Sequence, residues 1–256
     1  MNLTASNYHT REMNERFMSV SQFKRFSACP ASALAELRGD ILREKSTSLL
    51  VGAYVDAYFE GSLEQFRAEN PEIFKRDGTL KADYVQAEAI IRRIERDPLF
   101  MNYLTGEKQV IMTGTINGVE IKIKVDVLAT DRIVDLKIMK DFGSVYDAEK
   151  GRLPWFEAWG YDVQGAVYQE IVYQNTGARL PFYLAVATKE KEPDIDVLNI
   201  GQKYLDYALE SFTADVPVYD AIKKGVIAPE RCEKCDYCKN TKVLTEPTEA
   251  DTYYFM

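Results

Sequence analysis

Two acids and a lysine stand close together in the middle of the chain. Asp126 lies in Val125-Asp126-Val127-Leu128, and Asp135 and Lys137 lie in Ile133-Val134-Asp135-Leu136-Lys137-Ile138. The second run alternates apolar and charged residues with a period of two, so as a strand it projects Asp135 and Lys137 from one face. The first is also β-rich, and the polar connection Thr130-Asp131-Arg132 folds it back as a neighbouring strand with Asp126 beside Asp135. Carboxylates and the Leu136 carbonyl offer hard oxygen ligands to Mg²⁺ or Mn²⁺, and a lysine beside them orients or helps deprotonate a water. That combination suits phosphodiester hydrolysis. Taken alone, the same triplet also reads as a surface ion pair on a half-exposed hairpin.

The cysteines offer a second chemistry. There are four, three of them in Cys232-Glu233-Lys234-Cys235-Asp236-Tyr237-Cys238 and the fourth in Cys29-Pro30. Four thiolates complete one site with none left over. Three closely spaced ligands plus a remote Cys-Pro match ferredoxin-type iron–sulfur ligation, of the 4Fe-4S kind, better than the paired knuckles of a zinc ribbon, so iron–sulfur is favoured and zinc is the alternative. A disulfide framework fits poorly, because a chain of this size without an export segment is expected in the reducing cytosol.

With these residues in view, the chain resembles the P-D…(D/E)-x-K nucleases of the restriction-endonuclease-like superfamily, with Val125 replacing the usual proline. Gln164-Gly165-Ala166-Val167-Tyr168 is similar to the Q-x-x-x-Y helix that follows the D-x-K strand in RecB-type nucleases. On a helix Gln164 and Tyr168 share a face and point at the strand carrying Lys137. Gly52-Ala53-Tyr54-Val55-Asp56 resembles the G-x-x-V-H helix of the same nucleases, with Asp56 where they carry a metal-binding histidine; aspartate is the better Mg²⁺ ligand. One early cysteine and a C-terminal triplet also resemble the iron–sulfur staple of AddB-like and CRISPR-adaptation nucleases. From Ser19 to Cys238 the resemblance is strongest to phage-borne RecE-like exonucleases. It implies degradation of duplex DNA from its ends in recombination or repair, alongside a single-strand annealing protein; a homo-oligomer is compatible with it.

On this reading Asp56, Asp126, Asp135 and the Leu136 carbonyl hold the metal, Lys137 handles the water, and Gln164 and Tyr168 support Lys137 or touch the scissile strand. Lys122 and Lys124 meet phosphates. The cysteine cluster ties the N-terminal helix to the C-terminus as a structural staple. The rivals are a non-catalytic DNA- or protein-binding module that keeps the fold, and a small-molecule hydrolase or redox protein.

The elements needed to place these residues follow from pattern. Ser19 caps a helical segment running through Cys29 to Leu37, and Leu49 to Phe59 and Lys81 to Arg96 read as further helices. A β-meander follows: Lys108 to Ile116, an Asn117-Gly118 turn, Val119 to Ala129, and Arg132 to Lys137. A helix from Trp155 to Tyr173, a buried strand Pro181 to Ala187, an acidic loop and a helix Ile200 to Phe212 complete the order. The expected fold is α/β, a mixed central sheet flanked by helices in one domain over 1–256, with 241–256 as a loose tail.

With 256 residues, 46% of them hydrophobic, the chain can bury one sizeable core. No run is long and apolar enough for a membrane span, and Met1 to Arg16 lacks an apolar export segment, so a cytoplasmic protein is expected. The formal charge of −8 argues against a broad DNA-binding face, but leaves room for a narrow channel bordered by Lys122, Lys124, Lys137, Lys140, Lys150 and Arg152.

Overall fold

The computed structural model describes residues 3–42, 46–148, 150–247 and 249–250. The helices are α1 (Arg11–Arg16), α2 (Val20–Ala28), α3 (Pro30–Arg38), α4 (Thr47–Glu60), α5 (Leu63–Glu69), α6 (Ala82–Glu95), α7 (Pro98–Tyr103), α8 (Trp155–Ala158), α9 (Tyr161–Thr176), α10 (Gln202–Lys223) and α11 (Asp236–Asn240). The strands are β1 (Glu107–Ile116), β2 (Val119–Leu128), β3 (Ile133–Met139), β4 (Val145–Asp147), β5 (Gly151–Leu153), β6 (Phe182–Thr188) and β7 (Ile195–Asn199).

Five strands form one mixed sheet in the order β1-β2-β3-β6-β7, in which only β3 and β6 run parallel, while β4 and β5 make a separate small hairpin. The fold is thus the expected α/β class. Alternation sends Phe182, Leu184 and Val186 of β6 into one core with α2, α9 and α10, and Ala185 and Ala187 into a second core with α4, α6 and α7. The parallel β3–β6 crossover places α9 on one face, and α4, α6 and α7, which precede the sheet in the chain, cover the other. The β1–β2 turn uses Asn117 and Gly118 at φ 46° and 79°, the paired positive values that a tight two-residue hairpin needs.

Several boundaries differ from expectation. The helical run from Ser19 to Leu37 is two helices, because Cys29 is extended (φ −164°, ψ 102°) before Pro30, which opens α3; a residue preceding proline is pushed out of the α region. The Trp155–Tyr173 helix is likewise interrupted at Gly160, which sits at φ 61°. A β-carbon there would lie 2.9 Å from Lys24 Cε, the end of a flexible side chain that can move aside, so it is the positive φ that favours glycine. The acidic loop ends sooner than expected, in edge strand β7, and α10 runs on through Pro217 to Lys223. Of the tail, Thr248 and residues 251–256 lie outside the described residues. No helix among those described is long and apolar enough to cross a membrane.

Candidate active site and cysteine cluster

The site forms where β2 leaves β3. The two strands pair only at Val127↔Val134 and Leu128↔Ile133, and beyond that point the Asp126 carboxylate fills the gap, its Oδ2 accepting the Leu136 N–H at 3.0 Å. The strand changes phase there: Val125 enters one core and Val127 the other. Opposite Asp126, Gln109 takes φ 54° and its Nε2 donates to Asp126 Oδ1 at 3.3 Å. No residue is inserted, since the register is the same on both sides (Lys108↔Val127, Val110↔Val125); the Gln109–Asp126 pair is twisted out of the ladder, and this re-aims Asp126 toward β3.

Asp135 and Lys137 share a face of β3, as the alternation predicts, and their side chains form a buried ion pair. Lys137 Nζ also lies 3.3 Å from the Leu136 carbonyl. From α9, Gln164 Nε2 donates to Asp135 Oδ1 at 2.5 Å. Its reach depends on Gly165: a β-carbon there would fall 2.4 Å from the Phe182 ring, so only glycine lets α9 sit this close to β6. Tyr168 departs from expectation, because its hydroxyl donates to the Lys124 carbonyl of β2 at 3.1 Å rather than meeting Lys137.

Asp56 arrives from α4, and its Oδ1 is buried without a hydrogen-bond partner. Asp135 Oδ2 has only the lysine ion pair and no aligned hydrogen bond. Unpartnered buried carboxylate oxygens are costly. A divalent cation would satisfy both, so the donor set fits a hard metal. Among the described residues, however, the three carboxylates do not form a group whose ligand oxygens all lie within 4.8 Å of one another. Lys137 occupies part of the space between them, neutralising the oxygens a cation would take.

Burial dominates the electrostatics. It pushes the Asp135 carboxyl up to about 7, against the pull of Lys137. Burial and then Asp126 hold Asp56 well above the usual carboxylate range. Burial opposes the Lys137 charge, but Asp135 and Asp126 outweigh it and its pKa rises.

Residues with no motif signal complete the surroundings. Lys24 of α2 donates to the Trp159 carbonyl at 2.8 Å and lies over the Tyr161 ring, with its pKa lowered to about 8 by burial and then by Lys137. Tyr161 in turn lies 5.6 Å under the Lys137 ammonium. Lys24, Tyr161 and Gln109 are readable only from contacts between distant segments. Lys122 is a correction: it is 1% exposed, and its ammonium meets the Tyr8 carbonyl at 2.5 Å and Asn14 Oδ1 at 2.7 Å, leaving it no reach to a phosphate.

At the far side of α2, Cys29, Cys232, Cys235 and Cys238 are all free thiols, with their sulfurs within 4.8 Å of one another. Cys29 and Cys238 approach to 3.6 Å and Cys232 and Cys238 to 4.0 Å. Glu233 at φ 56° turns the chain so that the Cys235 N–H points at Cys232 Sγ, 3.3 Å away, and the Cys238 N–H points at Cys235 Sγ at 3.5 Å. Main-chain N–H groups of Lys234 and Cys235 pull the Cys232 thiol down to about 6, as befits a metal-binding thiolate. Arg231 braces the segment by donating to the Cys238 carbonyl at 2.6 Å.

The model of the PDDEXK-like domain of unknown function (DUF3799) matches residues 19–241. The chain belongs to this family. A crystal structure from Eubacterium rectale, described as a "Putative exonuclease", is 47% identical to the chain, covers 99% of it and 98% of its own length, and superposes with a TM-score of 0.94. A second solved structure, SSO0001, is 14% identical over 82% of the chain at a TM-score of 0.28, too distant to carry an argument. No curated protein sequence matches. The family match spans Asp56, Asp126, Asp135, Lys137, Gln164 and the cysteines up to Cys238, so a nuclease-like fold encloses the whole constellation.

Proposed function

We propose that this family member is a metal-dependent deoxyribonuclease that degrades duplex DNA from its ends. The observation that carries the reading is the convergence of Asp56, Asp126, Asp135 and Lys137: Lys137 pairs with Asp135, Asp126 accepts the Leu136 N–H, and Asp56 and Asp135 each keep a buried carboxylate oxygen without a hydrogen-bond partner. Asp126, Asp135, Asp56 and the Leu136 carbonyl would hold Mg²⁺ or Mn²⁺, which supplies charge neutralisation at the phosphate and a more acidic water. Lys137, kept as an ammonium by Asp135 and Asp126, would orient the attacking water. Gln164 holds Asp135 in its rotamer through Oδ1, while Oδ2 is paired with Lys137, which would have to share it with a cation. Tyr168 braces β2 beside Asp126. The cellular setting suggested by the RecE-like resemblance is phage recombination or repair in a bacterial cytoplasm, with a single-strand annealing protein as partner.

For the cysteines, sulfur spacing favours one tetrahedral ion. Bonds of about 2.3 Å to zinc place tetrahedral sulfurs about 3.8 Å apart, close to the 3.6 and 4.0 Å found here. A cluster that inserts several irons needs its thiolates further apart. We therefore assign zinc in place of the 4Fe-4S cluster expected from sequence spacing, in the same structural role.

Two consequences are measurable. The Asp135 proton must leave before a cation binds, so with scarce Mg²⁺ the hydrolysis rate should climb as pH passes from 6 to 8 through about 7. Saturating Mg²⁺ should move that climb to lower pH. A rise whose midpoint ignores Mg²⁺ concentration would place the titrating group elsewhere. In metal-free protein the sign for stability is opposite: a folded-state pKa raised above the usual 3.8 means stability is lost as pH increases through about 7. Mg²⁺ should therefore raise the melting temperature more at pH 8 than at pH 6.

Asp56 is tested by exchange. Asp56→His keeps a metal-binding donor and should retain partial activity, whereas Asp56→Leu should lose it by about 100-fold or more. Equal activity of the two variants would remove Asp56 from the metal site.

A further inference from the structure

Beside the proposed catalytic residues runs an open groove of about 1100 Å³. That exceeds the roughly 300–1,000 Å³ typical of small-molecule pockets, and its open shape fits a polymer. One wall is α4, which presents Ser48, Leu49, Gly52, Ala53 and Asp56; the floor is the end of β3 from Leu136 onward. Two aromatic side chains of the lining are left largely in solvent. Trp159 is 55% exposed and Tyr146, in β4, is 75% exposed. By contrast Trp155, four residues earlier, is buried in the core against Phe142 and Phe156.

The Trp159 backbone is held firmly. Its N–H donates to the Trp155 carbonyl at 3.1 Å, its carbonyl accepts from Lys24 at 2.8 Å, and Gly160 beside it is packed on Lys24. A large apolar ring on a fixed mount, facing an open groove, carries a desolvation cost that a flat ligand face would relieve. At Gly52, also in the lining, a β-carbon would meet nothing within 4 Å, so there is open space beside α4. Lys137, Lys140 and Lys189 line the same groove with Asp56 and Asp141; Lys140, its side chain 96% exposed and only 3.5 Å from Asp141, is the ammonium best placed to meet a phosphate. Aromatic faces interleaved with lysines are how single strands are bound without sequence preference.

We propose that Trp159, with Tyr146 beyond it, stacks the bases of the strand being cut, so that the groove takes DNA already unstacked from its complement. This rests on the nuclease reading for the identity of the ligand, and it names the form in which DNA is held: a single strand, phosphates to the lysines and bases to the rings. Trp159 is then a specificity-determining residue, favouring frayed ends and single-stranded overhangs over flush, closed duplex.

The test uses the full chain without added Mg²⁺ or Mn²⁺ and without chelator, so that the cysteine-bound metal stays in place, with a 12-mer oligothymidylate and a matching oligomer in which the central sugars carry no base. Stacking should quench Trp159 emission on titration with oligothymidylate; Trp159→Phe should bind within about threefold of the parent but show no quench, because Trp155 is shielded. Trp159→Ala should bind about tenfold or more weakly, in keeping with roughly 1–3 kcal/mol per stacked base. The base-free oligomer should bind the parent and Trp159→Ala equally. Persistent quench in Trp159→Phe, no quench in the parent, or equal loss on both oligomers in Trp159→Ala would overturn the proposal. Hydrolysis in Mg²⁺ is scored separately: absent cleavage with intact stacking counts against the nuclease reading alone, and intact cleavage without stacking counts against this one.

Discussion

Asp135→Asn should lower Mg²⁺-dependent DNA hydrolysis by at least about 100-fold while the protein stays folded. The side chain is 1% exposed and bound from two sides, by Gln164 through Oδ1 and by Lys137 through Oδ2. Asparagine keeps the shape and still accepts the Gln164 hydrogen bond, so the rotamer is preserved. What disappears is the negative charge that a cation needs and that keeps Lys137 in place. Loss of one electrostatic partner at a reacting phosphate costs roughly 3–4 kcal/mol in the transition state, hence the size of the effect. Alanine is the less informative change, since it also leaves the Lys137 ammonium buried and unpaired, a cost of several kcal/mol in stability. Parental activity in Asp135→Asn, measured on linear duplex, would remove the residue from the chemistry.

The second large effect concerns the cysteines. Cys29 and Cys238 are 209 residues apart in the chain and 3.6 Å apart at their sulfurs, so an ion held between them closes nearly the whole fold. Cys29→Ser and Cys235→Ser should each destabilise the protein by about 3 kcal/mol or more, which for a chain of this size lowers the melting temperature by on the order of 10 °C. Prolonged chelation should do the same to the parent, and to neither variant. Elemental analysis of anaerobically purified protein should find one zinc per chain; iron with acid-labile sulfide would restore the 4Fe-4S assignment while keeping the staple. A metal-free parent melting with Cys29→Ser would end both.

The elements legible beforehand were those with strong local signals. The two-residue alternation of β3 put Asp135 and Lys137 on one face, and Asn117-Gly118 marked the β1–β2 hairpin. Gln164 was found by its spacing from Tyr168, although the two turn out to serve different neighbours, Asp135 and the Lys124 carbonyl. The breaks at Cys29-Pro30 and Gly160 could be read locally, from a proline and a glycine, but apolar periodicity on both sides outweighed them. Lys122 misled because a lysine in a strand is normally exposed; here α1 and its approach fold over β2 and supply a carbonyl and an amide oxygen. Lys24 and Gln109 had no local signal at all. Their roles come from long-range packing that brings α2 against Trp159 and β1 against Asp126, and no spacing rule encodes that.

The formal charge of −8 is consistent with a lysine-lined groove, because the acids that face Lys137 are those that would be cancelled by metal. The central claim is that this groove takes a DNA end to a metal-dependent hydrolytic centre. It is tested most directly by incubating equal amounts of linear and covalently closed circular duplex with the protein in Mg²⁺ and following acid-soluble nucleotide. The account predicts steady release from the linear form, none in EDTA, and an intact circle. No release in Mg²⁺ or Mn²⁺, or circle and linear DNA degraded at the same rate, would contradict it.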